Sequence, residues 1–86
     1  MANPSALTND NFKVLSYLYD NRDRKNIVRY TQGEIADAMG LSRPTVNGIF
    51  KQLKEAGYLI QDTTKIGRYY LTEEAHRAIE TFRKLK

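Results

Sequence analysis

The sequence predicts a single small α+β domain with elements in the order helix, strand, helix, helix, strand, strand, helix. Three observations predict it. Thr31 and Glu34 make a capping box that opens one amphipathic segment, which Gly40 closes. Ser42, with Pro44 behind it, opens the next segment only two residues after Gly40. Two strand-like runs, YLIQDT (58–63) and RYYLT (68–72), flank a turn at TKIG (64–67). A chain of 86 residues has room for one core. Residues 1–7 are expected as a flexible tail and 8–86 as the domain.

Each element follows from local chemistry. Thr8 caps a first helix over about Asn9–Asp20, whose Phe12, Leu15, Leu18 and Tyr19 share one face, with Val14 and Tyr17 beside it. NRDRKN (21–26) is a charged connection, and IVRY (27–30) reads as a short strand. The second helix starts at about Gln32 and turns Ile35, Ala36 and Met39 inward. Gly40 ends it because glycine takes the left-handed conformation without steric penalty, and Leu41 is expected to point into the core. The third helix runs to about Ala56, where Gly57 stops it, with Val46, Ile49, Phe50 and Leu53 inward. Pro44 lies in its first turn, where a missing N–H breaks no helical bond. The hairpin tip falls at Lys65–Gly67. Thr72 caps a last helix with Ala75, Ala78, Ile79, Phe82 and Leu85 inward, Glu73 and Glu74 at its positive end, and Arg83, Lys84 and Lys86 at its negative end. Two helices joined through Gly40–Leu41–Ser42 cannot lie antiparallel, which makes the central pair a helix-turn-helix.

Composition narrows the function. The absence of cysteine excludes disulfides, thiolate metal sites and a cysteine nucleophile, and the lone His76 excludes a multi-histidine metal site. There is no apolar run of about 18 residues and no signal-like start, so no membrane partner is expected and the location is expected to be cytoplasmic. No nucleophile–base pair, glycine-rich phosphate loop or metal cluster suggests an enzyme, and no cofactor is expected. The net charge is +4, and between Arg43 and Arg68 five basic residues (Arg43, Lys51, Lys54, Lys65, Arg68) face two acidic ones (Glu55, Asp62). That local excess of three holds most of the positive balance, as a polyanion-binding face requires.

The stretch YTQGEIADAMGLSRPTVNGIFKQLKEAGYLIQD, followed by TKIGRYYLTEEA, resembles the winged helix-turn-helix domains of bacterial and archaeal transcription regulators, most of all the MarR (multiple antibiotic resistance regulator) type. The resemblance covers about residues 12–80. It implies a three-helix core, a β-hairpin wing over 63–68 and an extra C-terminal helix. MarR-type regulators usually carry longer terminal helices, which build a dimer interface and an effector pocket. The shorter ends here argue against a roomy small-molecule pocket, and the chain is also similar to small winged-helix proteins of plasmids and phages.

On this reading helix 43–56 enters the major groove. Arg43, Thr45 and Asn47 are the expected base readers, since arginine suits guanine, asparagine suits adenine, and threonine offers a methyl and a hydroxyl; Gly48 would let the helix approach closely. Thr31, Gln32, Ser42, Pro44, Lys51 and Lys54 would hold the backbone, and Lys65 and Arg68 would carry the wing to phosphates or the minor groove. The competing reading is a solvated helix face and a charged hairpin that resists edge aggregation. Arg22, Arg24, Lys25 and Arg29 form a second basic cluster, read chiefly as a solvated loop. The six tyrosines are expected to pack, with Tyr69 and Tyr70 on opposite strand faces. Phe12, Leu15, Tyr19, Ile79 and Phe82 are expected at a homodimer interface. The implied function is sequence-specific binding of double-stranded DNA by a dimeric transcription regulator acting as a repressor. The alternatives are a plasmid or phage replication or partition protein, and a winged-helix module that binds only protein.

Overall fold

The computed structural model describes residues 3–65 and 67–85; Ile66 at the expected hairpin tip, Lys86 at the expected end of the last helix, and Met1–Ala2 of the expected tail lie outside the described residues. The elements are α1 (Asn9–Asp20), β1 (Ile27–Val28), α2 (Gln32–Met39), α3 (Arg43–Glu55), β2 (Leu59–Gln61), β3 (Tyr69–Leu71) and α4 (Glu73–Lys84). This is the α+β winged-helix arrangement that the sequence predicts.

The helix ends are set where the capping chemistry places them. Glu34 N donates to Thr31 Oγ1 at 3.1 Å while Thr31 N donates to Glu34 Oε1 at 2.8 Å, so both halves of the capping box are closed. Gly40 has φ 68°, and a Cβ there would meet nothing within 4 Å, so backbone conformation rather than space calls for glycine. Ser42 Oγ accepts from Thr45 N at 3.2 Å, and Thr72 Oγ1 accepts from Ala75 N at 3.2 Å. Thr8 has N-cap backbone geometry but makes no side-chain cap bond.

The strands are shorter than the runs that suggested them; β2 and β3 pair as the expected hairpin, and the sequence offered no partner for β1. They form one antiparallel sheet in the order β1-β3-β2, with Ile27 and Ile60 both opposite Tyr70. Pairing of the hairpin continues one bond beyond each end: Thr72 N donates to Tyr58 O at 3.2 Å and Asp62 N to Arg68 O at 3.0 Å.

Val14, Leu15, Leu18, Val28, Ile35, Val46, Phe50, Leu53 and Ile79 are fully buried and form the centre of the core. Two expected dimer contacts must therefore be corrected. Leu15 and Ile79 have 0% exposure because α1 and α4 pack on each other and cover both residues within one chain. Phe12 and Phe82 do lie at the margin, rings 4.7 Å apart, lining with Leu7, Tyr58, Ala78 and Leu85 an apolar groove of about 670 Å³. Tyr19 is half-buried under Arg22, whose Nη1 also donates to Tyr19 O, and its hydroxyl donates to Glu80 at 3.0 Å. Part of the expected flexible tail is also tied down. Pro4–Ala6 form a 3₁₀ turn, Asn3 N donates to Ala56 O at 2.9 Å, and Leu7 packs against the core.

Asn11 is the buried polar residue that periodicity passes over. Its Nδ2 donates to Ala6 O at 2.7 Å and to Gln52 Oε1 at 2.8 Å, which joins the N-terminal turn, α1 and α3. His76, expected at the surface, is half-buried between Tyr19 and Asn26, with Nε2 2.8 Å from Asn26 Oδ1.

Candidate nucleic-acid interface

Three pieces meet on one face: the N-terminus of α2, the first turns of α3 and the base of the wing. The inward residues Val46, Ile49, Phe50 and Leu53 anchor α3 in the core and so turn Arg43, Thr45 and Asn47 to solvent. The Arg43 guanidinium lies against Gly33, where a Cβ would come within 3.0 Å of Cζ, Nε and Nη2. Asn47 Nδ2 donates to Gln32 Oε1 at 3.0 Å, and Gln32 Nε2 donates to Tyr69 Oη at 3.4 Å. At the wing base, a Cβ on Gly67 would sit 3.5 Å from Thr31 Cγ2.

The expected base readers are thus gathered beside the expected phosphate-binding helix end. Gly48 carries no group that obstructs the surface, and nothing lies within 4 Å of a Cβ built there. Ser42 and Thr45 are joined, Ser42 Oγ donating to Thr45 Oγ1 at 2.8 Å, and Pro44 is exposed beside them. Lys51 and Lys65 are exposed. Among the described residues the ion pairs are Arg29–Asp23, Arg77 with Glu73 and Glu74, and Arg83–Asp20, and they leave Arg43, Lys51 and Lys65 without a carboxylate partner. Unpaired cations on one face give a field that a polyanion can satisfy. Lys54 stands apart: it is half-buried, and its Nζ donates to Gln61 Oε1 at 2.9 Å, on the β2 side of the helix.

The wing is organised by Asp62. Its Oδ1 accepts from Thr64 Oγ1 at 2.6 Å and Thr64 N at 2.9 Å, and Oδ2 accepts from Tyr70 Oη at 3.1 Å. The Thr64 hydroxyl and then its N–H hold the Asp62 carboxyl below the usual range, while the bond to Asp62 pushes the Tyr70 phenol up. A depressed carboxyl pKa means that the stabilisation is complete above the unfolded value and is lost as pH falls below that value and through the lower, folded one. The Thr64 amide resonance is therefore expected to shift in a single step as pH drops below about 3.9. Asp62→Asn should remove the step; an unchanged titration would show that Asp62 does not hold the turn.

Gly33 is the interface residue that sequence reasoning missed. It lies in the first turn of a helix and is absent from the positive-φ positions, so its backbone does not call for glycine. A helical glycine without a backbone reason is the signal that something lies against its Cα. Gly33→Ala is expected to keep thermal stability within about 0.5 kcal/mol, since the displaced atoms end a flexible side chain. It should nevertheless move the Arg43 side-chain resonances. A melting loss above about 1 kcal/mol would place rigid structure, not Arg43, at that contact.

Comparison with known proteins shows the family and the fold. Residues 13–76 match the Crp-like helix-turn-helix domain family. Among solved structures, the S. aureus MepR–DNA complex superposes with a TM-score of 0.71 at 25% identity, covering 93% of this chain and 68% of that one. A mutant S. aureus MepR bound to an oligodeoxyribonucleotide gives 0.73 at 24% identity over 94% and 62% of the two chains. The reduced CO-sensing protein from R. rubrum gives 0.69 at 20% identity over 85% and 37%. The last two matches speak to the fold alone. The chain spans about two thirds of the MepR chains and little more than a third of the CO sensor. No curated protein matches the chain.

Proposed function

The chain belongs to the Crp-like helix-turn-helix domain family, and from that premise we propose that it binds double-stranded DNA as a transcription regulator. The observation that carries this reading is the convergence of three elements on one cationic face. Arg43 lies over Gly33, Asn47 bonds to Gln32, and Gln32 reaches Tyr69 at the root of the wing. Arg43, Thr45 and Asn47 read base edges, Gly48 permits close approach, and Lys51, Lys65 and Arg68 meet phosphates. Thr31, Gln32, Ser42 and Pro44 present the helix starts to the backbone. Lys54 is assigned a lesser part because its ammonium is bound to Gln61.

The protein acts as a cytoplasmic homodimer on this reading, and as a repressor by occlusion of a promoter. The remainder of the α1–α4 face, half-buried Phe12 with exposed Phe82 and the 81%-exposed Leu85, is the surface a second copy would cover. Two reading helices would then lie about 34 Å apart, one turn of DNA. We assign the chain no catalytic role and no cofactor. MepR, whose DNA complex is the structural parallel, supports the reading by analogy of fold and face.

The test is selection of bound duplexes from a random library, followed by affinity against salt. An enriched inverted repeat with steep salt dependence is expected. Salt-sensitive binding with no motif would favour a replication or partition role, and no binding at low salt would leave a protein-interaction module.

A further inference from the structure

We propose that Gln32, held by the Tyr69 hydroxyl, is a positioning residue that fixes the Asn47 carboxamide in the orientation that reads adenine. The inference rests on the DNA-binding reading above and names a specificity device within it. Gln32 opens α2, and its side-chain amide bridges two elements: Oε1 faces Asn47 Nδ2 at 3.0 Å and Nε2 faces Tyr69 Oη at 3.4 Å. Each contact constrains the other. Were the Gln32 amide turned over alone, its NH₂ would face the Asn47 NH₂, donor against donor; the Tyr69 hydroxyl can accept or donate, so only a joint turn of both amides keeps every bond. Tyr69 is itself buried and held edge-on to Phe50, ring centroids 4.8 Å apart at 83°. Its hydroxyl is therefore a fixed reference point in the core.

The consequence falls on Asn47. A carboxamide on an exposed helix position has two faces of opposite hydrogen-bonding sense, related by a flip. With one Nδ2 hydrogen given to Gln32, Asn47 turns over only if Gln32 turns over with it, so the two amides orient as one unit. The second Nδ2 hydrogen and Oδ1 then form a fixed donor–acceptor pair on the solvent side. The major-groove edge of adenine presents N7 as acceptor and N6–H₂ as donor, the complement of that pair. Fixing a side chain before binding lowers the ordering cost at the moment of contact, so selectivity depends on Gln32 even where Gln32 touches no base. The chain of contacts also ties the base reader to β3, and hence wing and reading helix to one reference.

The experiment uses the full chain and the duplex chosen by selection. Asn47→Ala first identifies the base pair that Asn47 reads, as the position where preference is lost. Gln32→Ala is expected to cut preference at that same pair by about three- to tenfold, beyond any loss it causes on random duplex. Gln32→Glu keeps the acceptor, so it should weaken all duplexes yet retain the preference at that pair. Tyr69→Phe should erode the preference in the same place by a smaller factor, and both variants answer the question should Gln32→Ala compromise the fold. The proposal is overturned if Gln32→Ala weakens every duplex by one common factor, or if a sequence-reading wild type shows no base-specific loss in Asn47→Ala. A wild-type chain that prefers no sequence would sink the base-reading function itself, and the proposal with it.

Discussion

Phe50→Ala is expected to cost about 3–5 kcal/mol, a large share of the stability of the domain. Phe50 is fully buried in α3, and its ring stands 4.8 Å from Tyr69 of β3. Truncation removes the transfer energy of a phenyl ring, the aromatic pair worth about 0.5–1.5 kcal/mol, and the packing on every side of the hole. Against that stands the whole stability of a domain this small, on the order of 5–10 kcal/mol. The ring pair joins the reading helix to the wing, so the interface is expected to loosen at both together. Urea unfolding followed by circular dichroism checks the prediction, with Ile60→Ala as the control. Ile60 is 54% exposed on an edge strand, and its loss should stay within about 0.5 kcal/mol. A Phe50→Ala cost below about 1 kcal/mol would mean that the site collapses without a cavity, and that α3 and β3 are held by other contacts.

What could be read in the sequence was local. The capping box at Thr31–Glu34, the glycine at 40 and the Ser42–Pro44 start all act within one turn of chain, and their helices begin and end where those residues place them. The exposed side of α3 followed from the spacing of its four buried residues. What could not be read was partnership across the chain. Helical spacing marks Leu15 and Ile79 as apolar but does not say that α4 covers α1, so these two residues, covered within one chain, read as part of the face for a second copy. Lys54 and Lys51 look alike in sequence; only the arrival of Gln61, seven positions on, separates a bound ammonium from a free one. Nothing local marks Asn11 for burial, because its partner Gln52 lies 41 positions away. The order β1-β3-β2 likewise rests on a pairing between residues 27–28 and 69–70 that no local signal announces.

Removing a base reader and removing a phosphate-binding cation should give different losses, and that difference is the most direct probe of the interface. Arg43→Ala is expected to cost about 1–3 kcal/mol on the preferred duplex, roughly 5- to 150-fold in affinity, and much less on random DNA. The expectation follows from its place at the start of α3, exposed and, among the described residues, without a carboxylate partner, with the guanidinium lying against Gly33. A guanidinium so placed offers paired donors to guanine O6 and N7, and a wrong base leaves them unmatched. Lys65→Ala should instead weaken all duplexes alike and lower the slope of log affinity against log salt by about 0.9, the share of one phosphate. Lys51→Ala should behave as Lys65→Ala does, since its ammonium is exposed and unpaired farther along the same helix. The two kinds of loss separate a reader from a clamp because counterion release depends on charge and not on base identity. Titration of each variant against preferred and scrambled duplexes at several salt concentrations resolves them. If Arg43→Ala lost equally on both duplexes with the same drop in slope as Lys65→Ala, Arg43 would be one more phosphate contact, and sequence reading would rest on Thr45 and Asn47 alone.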